Sequence, residues 1–170
     1  MLPIDKFKLF SAVLGCTLLP VATHAQNALA PAPAGYIHVD APTAQRLVVA
    51  EKNKHPEIGK LGLHATPPMA TDNAIIASDN PTKIGKKSSA NDMENLAAGK
   101  PVAKRIDKDK IYDLLLPITD AHGRDLNGGF VVMEVPLDKA ANEEEALRIG
   151  TIIRDDLQRQ ILSKAALYQR

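Results

Sequence analysis

Four polar residues stand at or beside extended, apolar runs: His64, Asp79, Arg105 and Tyr112. Their chemistry suits recognition. A guanidinium can grip a carboxylate through two parallel hydrogen bonds, and a phenol adds a directional one. A small organic acid or an amino acid would satisfy such a set. Side chains alternate along a strand, so a one-residue change of register turns any of the four to the opposite face. It is as a group that they define the expected ligand-binding residues.

Other polar clusters offer chemistry that the pattern does not complete. Lys83, Lys86 and Lys87 flank Ile84-Gly85 and could attract an anion, although lysines in a loop are commonly solvated charge. The glycine that would open a phosphate loop ahead of Gly85-Lys86-Lys87-Ser88 is missing. Asp120, His122, Asp125 and Asn127 crowd one turn with oxygen ligands, but an EF-hand would need Glu where Val131 stands. Asp, Asn and Gly are also what a tight hairpin requires, and a hairpin is the expectation here. His38, His55, His64 and His122 are scattered, with no HExxH and no two histidines four apart, so no metal site is expected. No GxSxG elbow is present, and Ser78, Ser88 and Ser89 have no histidine close by in sequence. The expectation is a protein that binds without catalysis and without a cofactor.

Composition narrows the field further. The chain has 170 residues, 21 Lys+Arg against 20 Asp+Glu, 45% hydrophobic residues and one cysteine. That is the balance of one folded domain, and it lacks the basic excess of a nucleic-acid binder. Lys6 and Lys8 precede an 11-residue apolar run over 9–19, and Thr23-His24-Ala25 has small residues at both positions that specify cleavage. This predicts a signal peptide over 1–25, cleaved after Ala25, and hence a periplasmic or secreted product. The run is short of the roughly 20 apolar residues that span a membrane. Val13-Leu14-Gly15-Cys16 loosely resembles a lipobox that would lipidate Cys16, but the apolar run continues past it and the better cleavage site follows. After cleavage, 19 basic and 19 acidic residues would remain, with no cysteine.

These side chains must be positioned by a small set of elements. Residues 26–39 read as a Pro/Ala-rich spacer and 40–170 as one domain. A helix is predicted over 40–54, capped by Asp40 and ended by His55-Pro56. Extended segments follow at 60–66 and 73–78, then a polar loop over 79–89 and a short helix starting at Asn91-Asp92 and closed by Gly99. Strands are predicted at 101–106, 111–118 and 130–135, joined by polar or Gly-rich turns that favour antiparallel pairing. A long terminal helix starts at Asn142, with an apolar stripe through Ile149, Ile152, Ile153, Leu157 and Ile161. Leu167 and Tyr168 lie beyond the stripe and would be spare for a partner. The sum is an α+β domain with a five-stranded antiparallel sheet.

Two strands, a helical excursion, three strands and flanking long helices form an order that resembles the PAS-like sheet of extracytoplasmic Cache domains. The likeness rests on residues 74–87, where a strand runs into a polar loop before Ile84-Gly85. It rests also on 115–135, where an apolar strand with Pro117 meets Asp120-x-x-Gly123 and returns through Gly into a Val-rich strand. It spans roughly residues 40–167. The resemblance implies a sensor module that holds a small metabolite against its sheet. No membrane span or signalling domain follows the terminal helix, so the expected role is to bind and present a ligand, with a separate membrane receptor or kinase as partner. The alternative expectation is a structural protein of the cell envelope that docks or dimerises through its C-terminal helix.

Overall fold

The computed structural model describes residues 31–170; the expected signal peptide, its cleavage site and Cys16 lie outside them. The order is α1 (Pro42–Lys54), β1 (Lys60–Ala65), β2 (Ala74–Ser78), α2 (Ala90–Ala97), β3 (Val102–Ile106), β4 (Ile111–Thr119), β5 (Asp125–Pro136) and α3 (Glu143–Gln160). Single 3₁₀ turns occupy Pro81–Lys83 and Ala165–Tyr168. The five strands form one antiparallel sheet in the order β2-β1-β5-β4-β3. An α+β domain with a five-stranded antiparallel sheet, compatible in general terms with a PAS-like fold, is therefore what this sequence forms. No helix among the described residues is long and apolar enough to cross a membrane.

Strand alternation gives the sheet two unlike faces. One carries Leu61, Leu63, Leu114, Leu116, Val131 and Met133, which pack with Val48 of α1 and Ile153 and Leu157 of α3 in the main core. The opposite face carries Lys60, Gly62 and His64 of β1, Asp113, Leu115 and Pro117 of β4, and Phe130, Val132 and Glu134 of β5. The chain between β2 and β3, with its 3₁₀ turn and α2, borders this second face.

Local chemistry accounts for the element ends, with some departures from expectation. Asn142 caps α3 by accepting from the Glu145 amide, as its sequence position implies. Ser89, ahead of the expected Asn91-Asp92 start, caps α2 in a reciprocal capping box with Asp92. Asp40 does not cap α1: the cap position is Ala41, without a side-chain bond, and Pro42 opens the first turn. The buried stripe of α3 runs through Ala146, Gly150, Ile153 and Leu157, whereas Ile152 is half exposed. Gly150 lets α3 lie close on the sheet: a Cβ there would stand 2.5 Å from Leu114 Cδ1, and that side chain would have to shift. β5 begins at Asp125, five residues before the expected strand, because Asp125 already pairs with Thr119 across the hairpin. Leu167 and Tyr168 are not spare: Leu167 is buried and Tyr168 packs against the core.

Candidate functional site

The face of the sheet away from α1 and α3 is built in rows, because the registers align residues across neighbouring strands. The first row runs Lys60, Glu134, Asp113, Lys104 from β1 to β3. The second runs Ser78, Gly62, Val132, Leu115, and the third Ile75, His64, Phe130, Pro117. Gly62 contributes no side chain between two filled rows, and a cleft of about 210 Å³ opens there. At ~30 Å³ for each water, that is room for a small metabolite and little more. Its far wall is formed by Lys83, Lys86, Lys87, Ser89 and Asp92 from the segment between β2 and β3.

His64 is held on this face by a chain of bonds that fixes its tautomer. Its ring stacks on Phe130 with centroids 4.3 Å apart. Asn73 donates from Nδ2 to the Gly128 carbonyl at 2.7 Å, and its Oδ1 accepts from the Ser88 hydroxyl at 2.6 Å. The Ser88 hydrogen is thereby committed, so the 2.8 Å contact between Ser88 Oγ and His64 Nδ1 requires Nδ1 to be the donor. Burial pushes the imidazole pKa down to about 4, with Lys60 and Lys86 acting in the same direction against Asp92. The neutral ring therefore turns an unprotonated Nε2 toward Gly62; a Cβ added to Gly62 would sit 3.8 Å from that nitrogen. This face offers an acceptor and asks for a donor.

The charges around it are of both signs. Lys60 bonds Glu134 at 2.8 Å; burial lowers its pKa, but the bond and Glu134's charge outweigh that and leave it raised. Burial raises the Asp113 carboxyl pKa, the neighbouring Glu134 adds to this, and Lys60 opposes it. Lys87 is paired with Asp72 at 2.9 Å. Lys83 and Lys86 reach no carboxylate among the described residues, which leaves two free ammonium groups on one wall and Asp113 on the floor. The lysine cluster thus lines a concave surface. Its segment is fastened by Gly85, whose amide donates to Ile75 and whose carbonyl accepts from Ile37, and by bridges from Lys86 to Tyr36 and from Lys87 to Ala74. Tyr36 and Ile37, inside the stretch expected as spacer, are part of this fastening.

The four residues expected to share a ligand are not brought together. Of them, only His64 lines the cleft. Asp79 closes the end of the β1–β2 pair, its Oδ1 accepting from the Leu61 amide at 3.2 Å. Arg105 and Tyr112 are cross-strand neighbours on the other face, beside the start of α3. Tyr112 is buried in the core, while Arg105 pairs with Asp107 at 2.7 Å near the surface. Residues missed by the sequence reading are Gly62 and Asp113; the period-two pattern through Lys60, Gly62 and His64 was the available signal. In the turn with calcium-like residues, the buried Asp120 carboxylate accepts from the amides of His122 and Arg124 and from Arg124 Nε. Those bonds use its oxygens for the hairpin. Among the described residues, no three imidazole or carboxylate groups converge in the cleft as metal ligands would.

No known protein-family model matches this chain, and no curated protein is significantly similar to it.

Proposed function

We propose that this chain is an exported, small-molecule-binding module of the PAS-like, Cache-like kind, and that its ligand is an amino acid or a close zwitterionic relative. The observation that carries the reading is the fixed His64 tautomer: Nε2 accepts, in a cleft whose wall bears Lys83 and Lys86 and whose floor bears Asp113. An α-ammonium donates to Nε2 and balances Asp113, while an α-carboxylate meets the two lysines. The volume suits a ligand of that size. Binding between sheet and excursion would order the segment around Lys83 and Lys86, which a separate membrane receptor or kinase could read. Ser88 Oγ stands 2.8 Å from His64 Nδ1, but its hydrogen is given to Asn73 and Nδ1 is the donor, so the ring does not act as a base on this hydroxyl and the reading is of binding. Docking through the C-terminal helix finds less support, because Leu167 and Tyr168 pack inward.

A thermal-shift titration with the common amino acids and with simple dicarboxylates tests this. A native-state ligand at 100 times its Kd adds about 2.7 kcal/mol, a readily measured rise in Tm. Gly62→Val should keep the ligand-free Tm within a few degrees, since the added Cβ meets nothing closer than 3.8 Å. It should also weaken ligand binding at least about tenfold, because the side chain fills the cleft in front of Nε2. A dicarboxylate shifting Tm more than any amino acid would replace the zwitterion with a plain acid. No shift with either class, or one that Gly62→Val leaves intact, would sink the proposal.

A further inference from the structure

On the opposite side of the sheet, the end of α1 meets α3 around a buried acid. Glu51 is fully buried. Its Oε2 is taken by Lys54 Nζ at 2.8 Å and Gln160 Nε2 at 3.0 Å, whereas its Oε1 has no hydrogen-bond partner. A buried carboxylate oxygen without a partner is costly and calls for an explanation. His55, one turn later, brings Nε2 to 3.4 Å from that oxygen. The other ring nitrogen, Nδ1, pairs with Glu57 Oε1 at 2.9 Å. With Nδ1 placed on Glu57, it is Nε2 that faces the unpartnered Glu51 oxygen, and both atoms border one point between α1 and α3. Asp156 of α3 completes the group: one ligand atom from each of the three residues lies within 4.8 Å of the others.

We infer that Glu51, His55 and Asp156 form a binding site for a divalent transition cation, zinc foremost, that clips α1 to α3. Zinc bonds of ~2.0–2.2 Å in tetrahedral geometry separate neighbouring ligand atoms by about 3.4 Å. The Nε2–Oε1 pair already stands at that separation. One imidazole with two carboxylates suits zinc better than calcium or magnesium, which favour oxygen alone. Glu57 on Nδ1 is the carboxylate–histidine arrangement that orients a metal-bound imidazole, and Gln160 and Lys54 steady the carboxylate from its other oxygen. His55 and Asp156 keep part of their surface exposed, so an ion can enter, and Arg159, which pairs with Asp156 Oδ1, would give way to it. The site is independent of the cleft and of whatever binds there.

The full chain, freed of any affinity tag, would be titrated with Co²⁺ and with Zn²⁺. The expected result is one equivalent bound, a visible d–d spectrum for Co²⁺, and a zinc-dependent rise in Tm reversed by EDTA. His55→Ala and Asp156→Asn should abolish the spectrum and the zinc shift. Glu57→Gln, which touches no ion, should weaken zinc about 10- to 100-fold. Should His55→Ala lower the metal-free Tm, His55→Gln keeps the bulk and must still lose the spectrum. No stoichiometric metal, or a spectrum and shift that survive the loss of His55, would overturn the site and leave a protonated His55 bridging Glu51. An equal response to Ca²⁺ would overturn its assignment to transition cations.

Discussion

At the scale of single residues, His64 has a consequence that pH can read. An unfolded histidine takes a proton near pH 6.5, whereas burial holds this one down to about 4. Between those values the unfolded chain binds the extra proton and the native chain does not, so stability is complete above about 6.5 and falls as the pH drops toward 4. The slope is about 1.4 kcal/mol per pH unit. Asp113 works in the opposite sense, since its raised native pKa lets the folded state take a proton first. The measurement is therefore a difference: chemical denaturation at several pH values for the wild type and for His64→Phe, which keeps the stack on Phe130. The wild type should lose stability faster on acidification, and parallel curves would contradict the buried, neutral imidazole. His64 was legible in the sequence because its partners on β1 alternate around it. Arg105 and Tyr112 were not, because one residue of register decides the face, and that register depends on the conformation of the 107–110 turn, where Lys110 takes a positive φ that its residue type does not announce. Glu51 and His55 were not legible for another reason: a carboxylate four residues before a lone histidine is common on any helix, and Asp156 joins them only through the packing of α1 on α3.

Among the elements, the order of helices and strands could be read almost entirely, because Gly, Pro, Asn and Asp mark each boundary and the apolar periods change between them. The start of β5 could not. Asp125 to Gly129 has turn composition, yet Leu126 is fully buried and the hairpin pairs from Asp125 onward. The segment between β2 and β3 was legible as a polar loop but not as a wall of the cleft, since its fastening depends on long-range backbone pairing through Gly85. That residue has φ +86, and a Cβ on it would lie 2.3 Å from the Ile37 carbonyl oxygen. Gly85→Ala should cost about 1–3 kcal/mol in strain alone, and more from the collision. Gly123 has a similar φ of +77 with nothing within 4 Å, so Gly123→Ala isolates the cost of conformation. Urea denaturation of both should place Gly85→Ala well below Gly123→Ala. Equal losses would mean that the contact with Ile37 does not hold the segment in place.

Over the whole molecule, the sheet separates two layers of different stability, and this is where ligand enclosure can be observed directly. β5 is paired on both sides, by β1 and β4, and its inward residues are fully buried, so its amides should exchange with solvent only on global unfolding. The excursion is different: neither the Pro81–Lys83 turn nor α2 has a buried residue. Amides across residues 79–99 should exchange through local opening, orders of magnitude faster than those of β5. An amino-acid ligand held between Lys83, Lys86 and His64 must slow exchange over 83–89, because it ties the wall to the floor. Zinc at Glu51, His55 and Asp156 must slow exchange around the end of α1 and in the last turns of α3, leaving the excursion untouched. Hydrogen exchange followed by mass spectrometry, with each ligand added separately to the same protein, distinguishes the two. Amino-acid protection confined to α3, or zinc protection of residues 83–89, would show that the chemistry has been assigned to the wrong face.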